Sequence, residues 1–350
     1  MPVCAIIYFN RKIKLRAALA GILAVERFVC ALLRRHMNSG LRGNRRKLPR
    51  PLTSGILLMK GIILINAYSD LKGPLHQAQR MEHELRGLGV ETEILRNDAF
   101  FTAVDGTDII SRLPSADFCI YLDKDKYVSS MLEACGLRLF NRHNAIRLCD
   151  DKMLTHIALA GHGIPMPKTL PGLLCYRAQE KVKPRTLDIA EQELGYPIIV
   201  KECYGSLGSG VFMAKSRTEL EAVAEKVKCK PHLFQRCIVP SLGHDLRVIV
   251  IGGKALACML RQSETDFRSN AGLGGRGLPF EPQPQVFDIC ERASRVLGLD
   301  FCGVDVLLGE DDSPLLCEVN SNAFFEEIER VSGVNVAGIY AQHIVSSLDK

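Results

Sequence analysis

Apolar positions fall into two periods along this chain. From Met59 onward, strands read at 61–65, 91–95 and 117–122 alternate with a helix rich in charged residues at 75–88 and a second helix at 127–134. Strands alternating with helices in this way predict parallel βαβ units and a small doubly wound α/β layer. Its first strand runs into Asn66-Ala-Tyr-Ser-Asp70, where a dinucleotide fingerprint would need spaced glycines, so dinucleotide binding has little support there.

Residues 141–161 read as one helix with Asp150-Asp151-Lys152 inside it, and 167–194 as a connection plus a helix. From Pro197 the pattern becomes strand and turn. Strands at 197–201 and 211–214 flank Gly205-Ser-Leu-Gly-Ser-Gly210; a strand at 233–238 follows, then a hairpin over 248–261 about Gly252-Gly253-Lys254. A last hairpin pairs 303–308 with 315–320 across a turn of glycine, acids, serine and proline. Alternation along its second strand puts Glu318 and Asn320 on one face and Leu315, Cys317 and Val319 on the other. If the register puts Asp305 beside the first pair, three hard oxygen donors converge, a set suited to Mg²⁺ or Mn²⁺ and to the phosphates such ions accompany. An ordinary half-exposed hairpin alternates in the same way, so the chemistry rests on what lies upstream.

Upstream, the three glycines of 205–210 make a flap whose backbone N–H groups can close over phosphate oxygens, with Lys201 at its root as a compact cation. No Gly-Lys-Ser/Thr follows, so this is not a Walker A loop. Arg247, Arg261 and Arg268 supply guanidiniums suited to clamping phosphate or carboxylate, and Arg268 sits in a polar loop, Asp266-Phe-Arg-Ser-Asn270, next to the glycines of 272–277. Of nine histidines only His244 is placed near these residues, and it is read as structural or solvated.

Composition changes the picture in two places. The 350 residues, 47% hydrophobic and 24% charged, suit a soluble chain of about two domains. Thirteen cysteines without a C-x-x-C pair, several inside apolar runs, indicate free thiols in a reducing compartment, and a cytoplasmic location is expected. The net charge of +6 is uneven: residues 1–58 hold twelve lysines and arginines against Glu26 alone, so the remainder is mildly acidic. Contact with nucleic acid or a ribosome therefore rests on that leader. Its run 17–33 is interrupted by Glu26 and Arg27, which argues against a membrane span. A presequence and an RNA-binding arm remain open, but Met59 is favoured as the natural start, and deleting 1–58 is expected to leave activity intact.

In order, spacing and residue type together, Lys152, Lys201 with its flap, Arg247, the Phe267-Arg-Ser-Asn270 loop and Asp305, Glu318 and Asn320 resemble the ATP-grasp superfamily. More narrowly they are similar to its RimK branch of α-L-glutamate ligases, from about Met59 to the C-terminus. The resemblance implies an ATP-grasp fold: a basic extension at 1–58, a Rossmann-like layer at 59–150, and two α+β subdomains, 151–238 and 239–350, that sandwich ATP. It implies that Lys152 and Lys201 contact the phosphates and that Gly205, Ser206, Gly208 and Gly210 cover them. Gln235, Arg236, Cys237 and Ile238 would form the adenine hinge, with Asp245 near the nucleotide. Arg247, Arg268 and Asn270 would meet the transferred phosphoryl group and the acceptor carboxylate; Asp305, Glu318 and Asn320 would hold Mg²⁺ or Mn²⁺. Two departures stand out: Arg236 replaces a common acid after the hinge glutamine, and Ser321-Asn-Ala-Phe-Phe325 replaces a Ser-Pro-Gly turn, which bears on substrate identity.

The chemistry so implied is ligation. ATP phosphorylates a carboxylate, and an amine, glutamate or a similar amino acid, attacks the acyl phosphate to form an amide on a peptide, protein or metabolite acceptor. Positioning and charge neutralisation suffice, so no protein nucleophile is needed. A different ATP-grasp ligase of the D-alanine-D-alanine kind, or a non-catalytic ATP-binding regulator, stays open, as does self-association; no membrane is expected.

Overall fold

In chain order the elements are β1 (Lys60–Ile65), α1 (Lys72–Gly87), β2 (Glu91–Arg96), β3 (Thr102–Asp105), β4 (Asp108–Ser111), β5 (Phe118–Leu122), α2 (Lys126–Ala134), β6 (Arg138–Phe140), α3 (His143–Asp150) and α4 (Lys152–Leu159). They continue with β7 (Thr169–Pro171), α5 (Pro184–Leu194), β8 (Ile198–Glu202), β9 (Val211–Ala214), α6 (Arg217–Val227) and β10 (His232–Arg236). Last come β11 (His244–Ile251), β12 (Lys254–Gln262), β13 (Arg276–Pro279), α7 (Pro284–Leu297), β14 (Phe301–Leu308), β15 (Pro314–Asn320), α8 (Glu326–Ser332) and α9 (Val336–Leu348). This computed structural model describes residues 59–69, 72–205, 208–269 and 275–349. The leader of 1–58, Ser206 and Asn270 lie outside the described residues. Among the described residues no helix is long and apolar enough to cross a membrane.

Three sheets carry the fold. The first, in the order β2-β1-β5-β6, is parallel throughout, as strand-helix alternation requires. The second, β7-β10-β8-β9, and the third, β13-β12-β11-β14-β15, are antiparallel. Side-chain alternation gives the third sheet two different faces. Leu246, Val248 and Val250 of β11 and Val304 and Val306 of β14 pack under Ile289, Cys290, Ala293 and Leu297 of α7. On the other face, Ile249, Ile251 and Phe301 join Ile63, Phe118 and Ile120 of the first sheet and Tyr340 of α9 in one core. Phe301 and Tyr340 stack at 4.9 Å there, a contact worth about 1 kcal/mol beyond its buried area. The second sheet keeps a separate core, with Ile198, Val200 and Phe234 under Leu187 and Leu220.

The expected single helix over 141–161 is two. Asp151 leaves helical geometry, and its side chain accepts hydrogen bonds from the N–H groups of Met153 and Leu154. It is an N-cap, so a new helix begins at Lys152 and turns that lysine inward.

Candidate functional site

A cavity of about 560 Å³ opens between the three sheets, lined by residues such as Asp123, Lys201 and Asp305. Its floor is the continuation of one face of the third sheet. On β11, Asp245 and Arg247 occupy the same alternation as Ile249 and Ile251, so the face that is core at one end is charged at the other.

The charged end is a linear chain of four groups. Arg247 donates to Asp305 through Nε (2.5 Å) and Nη2 (3.1 Å), its register partner across β11 and β14. Arg261 donates to Asp245, its partner across β11 and β12, at 2.7 and 2.5 Å, and its Nη2 lies 2.9 Å from Asp305. Burial alone would push the Asp305 carboxyl up, but the two guanidiniums overcome it and hold the group below the ordinary range. Asp245, expected near the nucleotide, has its carboxylate taken up by Arg261.

Register settles which side chains share this floor. Asp305 stands opposite Glu318, and Asn320 opposite Gly303. A Cβ on Gly303 would lie 2.5 Å from that of Ala323 and 3.2 Å from Cδ of Arg247, so only glycine admits the turn after Asn320 so close to the arginine. The alternation expected for β15 is broken. The register shifts beside Asp305, and Leu316 and Val319 take the buried positions while Cys317, Glu318 and Asn320 all line the cavity. Cys317 therefore sits with the carboxylate and not on the opposite face.

Lys152 and Lys201 reach this strand from the other walls. Both are 7% exposed. Lys152 Nζ donates to the Gly205 carbonyl at 2.9 Å and lies 3.5 Å from Glu318 Oε1, so it joins the flap to the floor. Lys201 Nζ donates to Cys317 Sγ at 3.3 Å. Burial works against its charge, yet Cys317, Glu318 and Asp305 together raise its pKa. Gly208 and Gly210 hold positive φ, which suits the flap's tight path. Arg268 grips Asp266 through Nε and Nη2 (2.9 and 2.7 Å) and donates through Nη1 to the Gly208 carbonyl at 2.8 Å. It fastens the loop of residues 263–269 to the flap.

At the hinge, Gln235 is buried and donates to Thr169 Oγ1 at 2.9 Å; Arg236 points outward, with a hydrogen bond to the Glu193 carbonyl, and Cys237 and Ile238 line the cavity. Sequence reasoning placed His244 alone here, but His156 and His76 are also close. His156, one turn beyond Lys152, lies 3.3 Å from Gln235 Nε2. Burial and then the Lys201 charge push its pKa down to about 4, so it is a neutral ring. Its spacing of four from Lys152 was the available signal.

The donor set of Asp305, Glu318 and Asn320 offers two carboxylates and an amide oxygen on one face, which fits Mg²⁺ or Mn²⁺. Among the described residues no three His, Cys, Asp or Glu side chains form a metal cluster, so such an ion would draw on the Asn320 amide.

Solved ATP-grasp proteins share this architecture. The ligase PsnB, complexed with a phosphomimetic variant of its minimal precursor, Mg and ADP, aligns with TM-score 0.60 at 19% identity over 84% of this chain and 100% of its own. The D-alanine-D-alanine ligase of Bacillus anthracis, complexed with ATP, aligns with TM-score 0.62 at 16% identity over 83% and 97%. These likenesses establish the fold as ATP-grasp. A family model described as a RimK-like ATP-grasp domain matches residues 149–344, and the chain belongs to that family. Among relatives, N-acetylaspartylglutamate synthase A of Homo sapiens is 37% identical over 243 residues, covering 69% of this chain and 60% of the relative. A probable alpha-L-glutamate ligase of Xanthomonas campestris pv. campestris is 35% identical over 224 residues, covering 63% and 74%. Beta-citrylglutamate synthase B of Danio rerio is 38% identical over 229 residues, covering 65% and 55%. The chain spans about three fifths of the length of the first and less of the last.

Proposed function

We propose that this protein is an ATP-dependent carboxylate-amine ligase that joins glutamate, or a similar amino acid, to a carboxylate through an acyl phosphate. One observation carries the reading. Asp305 and Glu318 face each other across β14 and β15, and two buried lysines from separate elements meet the same strand within one cavity. The names of the relatives above, each an enzyme of a glutamate-containing product or a glutamate ligase, support glutamate as the amine.

In this reading Lys152 and Lys201 neutralise the triphosphate, and the flap of Gly205, Ser206, Gly208 and Gly210 covers it with backbone N–H groups. The hinge of Gln235 to Ile238 takes the adenine, with Asp245 holding Arg261 beside it. Asp305, Glu318 and Asn320 would hold a divalent ion, which would supply charge neutralisation for the phosphate oxygens. Arg247, Arg268 and Asn270 orient the acceptor carboxylate and the phosphoryl group passing to it. The carboxylate oxygen bonds to phosphorus as ADP leaves. The amine nitrogen then bonds to the acyl carbon, the carbon-oxygen bond breaks with its electron pair on phosphate, and the amine's proton passes to water. The acceptor lies on a peptide, a protein or a small metabolite. In this reading residues 59–150, 151–238 and 239–350 form the layers around the nucleotide.

The test is a purified chain with Mg-ATP, glutamate and a pooled carboxylate library. Release of ADP together with a mass gain of one glutamyl residue on some carboxylate is expected. No ADP with any member would overturn the assignment.

A further inference from the structure

We infer that Gln77 and Asn322 form the subsite for the primary amine of the incoming amino acid. The inference rests on the ligase reading and adds to it the group that holds the nucleophile. Buried side-chain oxygens without a hydrogen-bond partner are few, because each costs about 1–3 kcal/mol. Six such atoms occur among the described residues, on Gln77, Thr92, Glu133, Tyr196, Ser321 and Asn322. Three of the six lie on Gln77 and on the turn it hydrogen-bonds. Ser321 and Asn322 are neighbours in the chain, and Gln77 Nε2 donates to the carbonyl of the next residue, Ala323, at 3.3 Å. Gln77 is 2% exposed, and both it and Asn322 line the cavity.

The place suits a nucleophile. Asn322 follows Asn320 by two residues, and the Gly303 contact presses this turn against Arg247, where the acyl group forms in the ligase reading. Gln77 comes from α1 of the first sheet, so this contact joins that layer to the charged floor. Its surroundings supply negative charge as well as Arg247: Glu326 and Glu327 line the same cavity, with His76 3.7 Å from Glu326. The two oxygens are closed to water, so the 321–324 turn must give slightly as the amine enters. Its N–H groups then satisfy acceptors that no described residue reaches.

Amide oxygens are also the right acceptors for a reacting amine. A carboxylate in contact would favour the ammonium form and hinder loss of the proton, whereas an uncharged amide holds the nitrogen while leaving it free to lose that proton. Glu326 and Glu327 are engaged elsewhere, Glu326 facing His76 and Glu327 accepting from the Gly277 N–H at 2.6 Å.

The experiment separates amine binding from carboxylate activation. Wild type and the variants Gln77→Leu and Asn322→Ala are given Mg-ATP and the carboxylate found active, with either the amino acid or hydroxylamine, a nucleophile too small to need the subsite. In both variants the ratio of amide to hydroxamate is expected to fall about tenfold or more, with the rise in KM confined to the amino acid. Gln77→Glu should instead move the half-maximal pH of amide formation upward. An unchanged ratio in Gln77→Leu and Asn322→Ala, or a loss of hydroxamate parallel to amide, would overturn the subsite and leave the ligase standing. Wild type that yields neither product would remove both.

Discussion

Lys201 and Cys317 meet across the cavity, the ammonium donating to the thiol sulfur at 3.3 Å. The contact exists because the shift in β15 brings Cys317 round to the side of Glu318. It places a reactive atom within reach of the lysine assigned to the phosphates.

Alkylation of Cys317 is therefore expected to abolish ATP-dependent turnover, and saturating Mg-ATP to protect against it. Burial raises the thiol pKa against the opposing pull of Lys201, so the reaction should be slow near neutrality and quicken with pH. Cys317→Ser should leave turnover resistant to N-ethylmaleimide, although the exposed thiols of Cys135 and Cys229 still react. Equal sensitivity of the variant would refute the assignment of this thiol to the site.

Replacing Lys201 by Met keeps most of its volume and removes the charge. The rise in Tm that Mg-ATP gives the wild type should shrink or vanish, because ligand stabilisation follows affinity. A full shift in the variant would exclude Lys201 from the nucleotide site.

Glu318→Ala is expected to lower ADP formation about 100-fold or more while the chain still folds. Asp305 behaves differently, since it balances two arginines. Asp305→Ala leaves Arg247 and Arg261 facing each other and should cost about 3–5 kcal/mol of stability besides activity. Urea unfolding and an ADP assay on both variants distinguish the two effects.

His156 gives a pH dependence of known sign. Its folded pKa of about 4 lies below the ordinary 6.5, so between these values the unfolded chain binds the proton and the folded chain does not. Stability is retained above pH 6.5 and falls as pH drops toward 4, by about 3 kcal/mol from this group. The difference in unfolding free energy between wild type and His156→Gln should change by that amount across the window. A constant difference would show that the ring is protonated in the fold.

Much of this was legible beforehand, for identifiable reasons. The parallel first sheet follows from strands separated by helices, and the Asp305, Glu318, Asn320 face from a period of two. What escaped depends on single residues acting against the local pattern. Asp151 ends one helix by capping the next, which a continuous charged run conceals. The shift beside Asp305 moves Cys317 to the other side, and no composition marks such a slip. Gln77 lies in a helix rich in polar residues, so its burial depends on Ala323, 246 residues away.

One core unites the outer layers. Ile63, Phe118 and Ile120 close on Ile249, Phe301 and Tyr340, although the family match begins only at residue 149. A recombinant fragment cut at that boundary would strip the greasy flank from α9 and β11 and is expected to aggregate. The shortest autonomous piece is therefore expected to include the first strand, because the segment that earns the family name shares its core with the layer before it.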